Sequence, residues 1–431
     1  MSQAYRRAAI LAVGTEMLTP ARVDTNSLAI TAVLNDLGID LVYKGVVGDD
    51  REELARQVLA AIARVDLLIV TGGLGPTDDD VTREAVAGAM GRRLREDPAI
   101  VEGIARRFES RGWRMPEVNR RQALVPDGAV VLPNPNGTAP GLWLEHEGRG
   151  IALLPGPPRE MEPMLAGLVE ARLSASGGRI RLRRRVLKII GRTESRVEEL
   201  TQPIYSRWLD RPIPIATTIL AGHGQIELHL SARGAALDAV EAALDAAVEE
   251  VAAVLGADLF SRDGASLEAV VGDLLRARGW RIGLAESCTG GLATSRLTDV
   301  AGSSDYVDRS VVAYSNRAKQ ELLGVPEAVL VAHGAVSEPV AVAMAEGIRR
   351  VAGTEVGAGI TGIAGPGGGS AEKPVGTVCI AVSAEGVPGR VRTYRFPGNR
   401  ELVKTFSASA ALDLVRRVLA GTDGDTDWVR R

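Results

Sequence analysis

The sequence predicts an α/β protein of three parts, and three observations carry that expectation. Its 431 residues exceed what one hydrophobic core usually supports, so two or three domains are expected. Across residues 1–170, apolar runs of strand length alternate with amphipathic stretches of helix length, the rhythm of a mostly parallel sheet covered by helices. Glycine is abundant, at 49 residues, and gathers in loops just after apolar runs, a habit of nucleotide-binding α/β folds.

In chain order, AAILAVG reads as a first strand. TNSLAITAVLNDLG follows as a helix, DLVYKGVVGDD as a strand, REELARQVLAAIARV as a helix and DLLIVTGG as a strand. VTREAVAGAMG and DPAIVEGIARRFESRG add helices, and GIALLPGPPREMEPML is a buried strand running into a proline-started helix. A Ser/Gly-rich joint near 171–182 opens a small α+β unit reaching to about 260: the strand VLKIIG, the helix TESRVEELTQPIYSRWL, the strand QIELHLSA and a long alanine-rich helix. In RIRLRRRVLK the arginines alternate with Ile180 and Leu182, so they are expected to face solvent from a strand. A third unit, 264–422, starts with the helix ASLEAVVGDLLRARG. It runs through the strands RIGLAES, RSVVAYSN, VGAGITGIAG, VGTVCIAVSA and RVRTYRF to a closing helix, and the polar tail TDGDTDWVRR is expected to fray.

Composition narrows the functional classes. The net charge of −3 gives no general attraction to nucleic acid or anionic lipid, and direct nucleic-acid binding is not expected. No apolar run approaches the roughly 20 residues of a membrane helix, and the short run AAILAV is a strand rather than a secretion signal, so a cytoplasmic protein is expected. The two cysteines, Cys288 and Cys379, suggest neither a disulfide framework nor a zinc site. The four histidines, His146, His223, His229 and His333, lack metal-ligand spacing, and a histidine-based triad is not expected.

TGGLGPTDDDVT, residues 71–82, is the sharpest signal in the first half. Gly72, Gly73 and Gly75 permit close backbone approach, Pro76 stiffens the turn, and three aspartates follow Thr77. A helix cap accounts for one aspartate but not for three, so nucleotide binding or a Mg-like divalent metal on Asp78 and Asp79 is expected. TGIAGP at 361–366 echoes TGGLGP, each loop placing backbone N–H groups at the carboxyl edge of a sheet.

This loop stands with GTE at 14–16, DTN at 24–26, GDD at 48–50, NPNGTAPG at 134–141 and LPGPPREM at 154–161. Together they resemble the amino-terminal part of the CinA family, similar in turn to the molybdopterin-binding (MoaB/MogA-like) domains of molybdenum-cofactor biosynthesis. The resemblance implies a three-layer domain in which Asn26, Asp49 and Gly156 join the glycine loop in binding a nucleotide. It also implies metal-dependent hydrolysis of the pyrophosphate of ADP-ribose. Thr19-Pro20 stands where relatives tend to carry a glycine, so the local loop is expected to depart from theirs.

AESCTGGLATS, 285–295, sets Ser287, Cys288 and Thr289 side by side before two glycines. A serine or threonine there can cap the following helix, or one of the three can be a nucleophile. A weak hydroxyl needs a base, and this domain holds the single histidine His333, in a stretch that reads as a turn. Lysine is scarce, and Lys319 follows the strand RSVVAYSN; desolvated there, it would lose its proton readily enough to act as a base, which an arginine could not. A surface lysine on the helix AKQELLG is the other reading of the same residue.

AESCTGG, GSSDY at 302–306, AYSN..K at 313–319, GAVSEP at 334–339 and TGIAGPGGG followed by PVGTV resemble the carboxyl-terminal CinA domain, the nicotinamide-nucleotide amidase unit. The resemblance places a Ser–Lys pair on Ser287 and Lys319 and makes Cys288 a bystander. It implies deamidation of nicotinamide mononucleotide through an acyl-enzyme, with no metal. The backbone of 288–291, including Gly290 and Gly291, would hold the oxyanion, with Thr289 donating to it or capping the helix. Tyr314 would relay or position, and the loop of Thr361, Gly362 and Gly365 with Arg400 would receive the phosphate. A homodimer is expected from the same resemblance. A non-catalytic role in DNA uptake and pterin binding by the first domain are the competing readings.

Overall fold

The computed structural model describes residues 5–20, 22–174, 181–222, 224–422, 424, 426 and 427. The joint at 175–180, His223 and the last residues of the tail therefore lie outside the described residues. The chain divides into two compact units, Met1–Arg183 with Arg233–Val240, and Arg184–Ala232 with Glu241–Arg431.

The first unit contains β1 (Arg7–Val13), α1 (Asn26–Asp36), β2 (Asp40–Val47), α2 (Arg51–Ile62), β3 (Leu67–Thr71) and α3 (Thr82–Ala89). β4 (Leu94–Glu96), α4 (Pro98–Glu109), β5 (Leu124–Pro126), β6 (Val130–Leu132), β7 (Gly141–His146), β8 (Arg149–Leu154) and α5 (Pro158–Leu168) complete it. Six strands form one sheet in the order β2-β1-β3-β8-β7-β6, parallel from β2 to β8 and antiparallel beyond. Alternation along β1 builds the layers. Ala8 and Ile10 pack against Ile30 and Leu34 of α1 and Met161 of α5, whereas Ala9, Leu11 and Val13 pack against α2 and α3. This is the expected three-layer α/β arrangement.

The second unit opens with β9 (Arg181–Ile190), α6 (Glu194–Tyr205), β10 (Ile215–Gly222), β11 (Gln225–Gly234), α7 (Leu237–Leu255) and β12 (Leu259–Ser261), whose strands form a sheet of their own in the order β10-β11-β9-β12. β10 pairs antiparallel with β11 and is a strand the sequence reading did not separate from the loop before it. Then come α8 (Leu267–Arg278), β13 (Ile282–Glu286), α9 (Leu292–Thr298), β14 (Val307–Val312), α10 (Asn316–Leu323), α11 (Glu327–His333) and α12 (Glu338–Ala352). β15 (Val356–Gly362), β16 (Thr377–Ala384), β17 (Val387–Arg395) and α13 (Arg400–Ala420) end the fold. The five strands lie in the order β14-β13-β15-β16-β17, the first three parallel and the rest antiparallel.

β13 and β15 bury residues on both faces, against α8, α9 and α13 on one side and α10 to α12 on the other. Gly359 lets α12 lie directly on β15, since a Cβ there would stand 2.4 Å from the carbonyl oxygen of Ala341.

Within the tail, Asp427 departs from the expectation of fraying. Asp427 donates its amide to Gly191 (2.8 Å) and accepts from the Thr193 amide and the Arg192 guanidinium, both at 3.0 Å. No helix among the described residues is long and apolar enough to cross a membrane.

Candidate active site

Ser287 follows β13 directly. From β13 the chain leaves to β14 on one side and returns to β15 on the other, so β13 is where strand order reverses. The crevice outside the carboxyl ends at such a point is where open α/β sheets take ligands. Gly290 and Gly291 turn the chain at φ +64° and +95°, a backbone region that suits glycine, and start α9.

Lys319 is almost wholly buried, at 1% exposure, with Nζ 3.1 Å from Ser287 Oγ. Nζ also donates to the carbonyls of Ala313 (2.9 Å) and Tyr314 (3.5 Å). An uncharged amine has two N–H bonds and one lone pair. The two carbonyls take the N–H bonds and leave the lone pair for the serine proton. Burial pushes the lysine below its ordinary pKa and outweighs an opposing contribution from Cys288. The Lys319 of the structure is thus an interior residue, not the surface lysine of the alternative reading.

Cys288 is buried too, and burial pushes its thiol up to about 12, so it stays protonated and unreactive. Its sulfur packs beside Gly362, where a Cβ would come within 3.0 Å. Thr289 corrects one expectation. Its side chain does not cap α9, and its buried hydroxyl meets no acceptor among the described residues.

The cap is Glu286, which the sequence reading passed over within AESCTGG. Fully buried, its carboxylate accepts from the amides of Gly291 (3.0 Å), Ala293 (3.2 Å) and Thr294 (2.8 Å) and from the Thr294 hydroxyl (2.7 Å). The only signal for it was an acidic residue at the end of an apolar strand.

The oxyanion donors are fewer than expected. The Gly290 amide bonds the Ser287 carbonyl (3.2 Å), the Gly291 amide bonds Glu286, and the Ser287 amide bonds the Ile360 carbonyl (3.0 Å). Within 288–291, this leaves the amides of Cys288 and Thr289 without an oxygen acceptor among the described residues.

Thr361 is also spent, its hydroxyl donating to the Ala335 carbonyl at 2.7 Å. Arg400 donates to the Gly365 carbonyl and to the Tyr314 hydroxyl, both at 2.9 Å, which brings three of the expected residues together at the rim. A cavity of about 470 Å³ opens between β10–β11 and α9–α13, and neither Ser287 nor Lys319 lines it.

In the first unit, a cavity of about 360 Å³ lies at the carboxyl ends of β1 and β3 and is lined by Val13, Glu16, Asp24, Asn26, Thr71 and Gly156 among others. Here β1 is the strand at which order reverses. Asn26 donates to the Thr71 hydroxyl and the Gly156 carbonyl, and its buried Oδ1 has no partner among the described residues.

The glycine loop is built as expected at Gly72, where a Cβ would stand 2.2 Å from the Val13 carbonyl oxygen. Two of its amides are already engaged, however: Asp80 accepts from the amides of Gly75 (2.7 Å) and Thr77 (2.8 Å) and from the Thr77 hydroxyl (2.5 Å), beside Pro76. Buried Arg83, unforeseen, donates to the Leu74 carbonyl at 2.6 Å from the other side.

The metal assignment does not fit. Asp78 pairs with Arg121 at 2.9 Å, Asp79 is solvent-exposed, and Asp80 is committed to the loop. No group of three or more His, Cys, Asp or Glu side chains is placed to hold an ion among the described residues. Asp49 accepts from the Thr15 amide at 2.8 Å.

Comparison with known proteins agrees with this architecture. Residues 9–175 match the model of a probable molybdopterin binding domain, 184–261 that of the damage-inducible protein CinA KH domain, and 264–419 that of the CinA C-terminal domain. A CinA-like protein of Koribacter versatilis is 45% identical over 416 residues, covering 96% of this chain and 99% of its own. The chain belongs to the CinA family.

Another similar CinA relative, a putative competence-damage inducible protein of Moorella thermoacetica, is 46% identical over 94% of this chain and 97% of its own. Among solved structures, a competence/damage inducible protein of Agrobacterium tumefaciens is 40% identical over 34% of this chain and 90% of its own, with a TM-score of 0.34.

Proposed function

We propose that this CinA-family chain hydrolyses the carboxamide of nicotinamide mononucleotide to nicotinate mononucleotide and ammonia. The observation that carries this reading is the 3.1 Å approach of a buried lysine amine to the hydroxyl of Ser287, with no carboxylate on the amine.

Neutral Lys319 takes the Ser287 proton as Oγ bonds to the amide carbon, and the carbonyl oxygen gains negative charge. The amides of Cys288 and Thr289, which meet no oxygen acceptor among the described residues, are the donors available to that oxygen; removing one donor of this kind typically costs about 3–4 kcal/mol of barrier. Lys319 returns the proton to the leaving nitrogen, the C–N bond breaks and ammonia departs. Water then loses a proton to Lys319 and attacks the ester. Oγ leaves with that proton, and the carboxylic acid product ionises.

Purified protein incubated with the mononucleotide is expected to release ammonia equally with and without chelator, and Ser287→Ala to lose at least about 10³-fold in kcat. Ammonia release that persists in Ser287→Ala would overturn the assignment.

A second reading concerns the first unit, where the unpartnered Asn26 Oδ1 at the 360 Å³ cavity favours a ligand with a ring or amide N–H donor, as a nucleotide base or a pterin has. Hydrolysis of ADP-ribose there is the competing enzymatic activity, and the same assay with ADP-ribose, reading phosphate monoesters, tests it. Nucleic-acid binding by the middle segment has less support. KH modules clamp the nucleic-acid backbone with a GXXG loop, and residues 184–261 contain no such spacing.

A further inference from the structure

Two cations stand one helical turn apart at the start of α13, Arg400 and Lys404. Arg400 is already engaged, its two terminal nitrogens on the Gly365 carbonyl and the Tyr314 hydroxyl. Both acceptors are neutral, so the guanidinium charge is not cancelled there.

Lys404 is different. It is half-buried, and its ammonium has no hydrogen-bond or ion-pair partner among the described residues. It is also one of five lysines in a chain with 51 Lys and Arg together. It faces the nucleophile's turn, since a Cβ built on Gly290 would stand 3.8 Å from Nζ. An ammonium with no anion opposite it is an unfilled half of an ion pair.

We propose that Lys404 receives the phosphate of the substrate and sets the preference for a phosphorylated amide over its unphosphorylated counterpart. The proposal rests on the amidase reading above. It moves the anion contact from Arg400, which positions Tyr314 and the Gly365 loop, to the neighbouring residue whose charge is free. A lysine suits this task as a compact point charge with three donors that can turn toward any phosphate oxygen. Arg400, one turn away, adds a second positive charge to the same rim and raises the local concentration of anions.

The test compares kcat/KM for nicotinamide mononucleotide with that for nicotinamide riboside, in the wild type and in Lys404→Ala and Lys404→Arg. Lys404→Ala is expected to lower the mononucleotide-to-riboside ratio at least tenfold, mainly through KM, and Lys404→Arg to recover part of it. Inorganic phosphate is expected to compete with the mononucleotide in the wild type and to weaken as a competitor in Lys404→Ala. An unchanged ratio with unchanged phosphate competition would overturn the proposal.

Calorimetric titration of the mononucleotide into Ser287→Ala, with and without Lys404→Ala, reads the contact without turnover. Weaker binding in the double variant upholds the phosphate contact even if no ammonia is ever formed, in which case the amidase reading fails alone. Equal binding, in variants whose circular dichroism matches the wild type, refutes the role of Lys404.

Discussion

A lysine beside a serine hydroxyl can hold its proton or lose it, and burial decides which. With Lys319 interior and no carboxylate on it, the charged form is the costly one, so the amine deprotonates below the ordinary lysine value of 10.5. Activity that needs the neutral amine therefore climbs with pH to a plateau. The expected kcat/KM profile has its ascending limb below 10.5, and Lys319→Arg is inactive at every pH because a guanidinium keeps its proton. The same shift has a stability consequence. Between the lowered folded value and 10.5, the unfolded chain binds more protons, so unfolding free energy should rise with pH across that window. Sequence reading reached Ser287 and Lys319 through residue type and resemblance. It could not reach Lys404, whose relevance depends on what α13 lies against.

At the scale of elements, two carboxylates do the holding. Glu286 closes the start of α9 through three amides and a hydroxyl, fixing the turn that carries Ser287. Glu286→Ala leaves the three partly or fully buried amides unpaired, each costing about 1–3 kcal/mol. The expected outcome in chemical denaturation is a loss of at least about 3 kcal/mol, with kcat falling as the turn relaxes. Asp80 does the corresponding work in the first unit, on the amides of Gly75 and Thr77. Both were hidden in the sequence for one reason. An acidic residue at a strand-to-helix turn, alone like Glu286 or in a run like Asp80, reads as a cap, a ligand or a surface charge, and only the direction of the neighbouring N–H bonds separates these. The glycine spacing was legible because close approach excludes other side chains, as at Gly72. The hairpin partner β10 was not, because its pairing with β11 is a tertiary contact.

At the scale of the whole chain, the second unit is tied internally by charge. Asp258, just before β12, bonds Arg417 (2.8 Å) and Arg192 (2.5 Å), while Asp413 bonds Arg416 (2.6 Å) and Arg417 (2.7 Å). Asp258, Asp413, Arg416 and Arg417 are all buried, so removing one partner strands an opposite charge. Asp258→Ala is expected to cost about 3–5 kcal/mol of stability, read as a lowered Tm, and an unchanged Tm would show that the cluster holds nothing. Sequence alone determined the layered α/β architecture, the strands and helices that alternate through it, and the serine with its lysine. The layers and elements follow from periodicity, which a chain displays locally, and the serine with its lysine follows from residue type together with the resemblance to the CinA family. Tertiary structure alone decided which amides of 288–291 remain without an oxygen acceptor, that the three aspartates make no metal cage, and which cation near Ser287 stands unopposed. Each of these depends on whether a donor or charge has already met a partner distant in sequence.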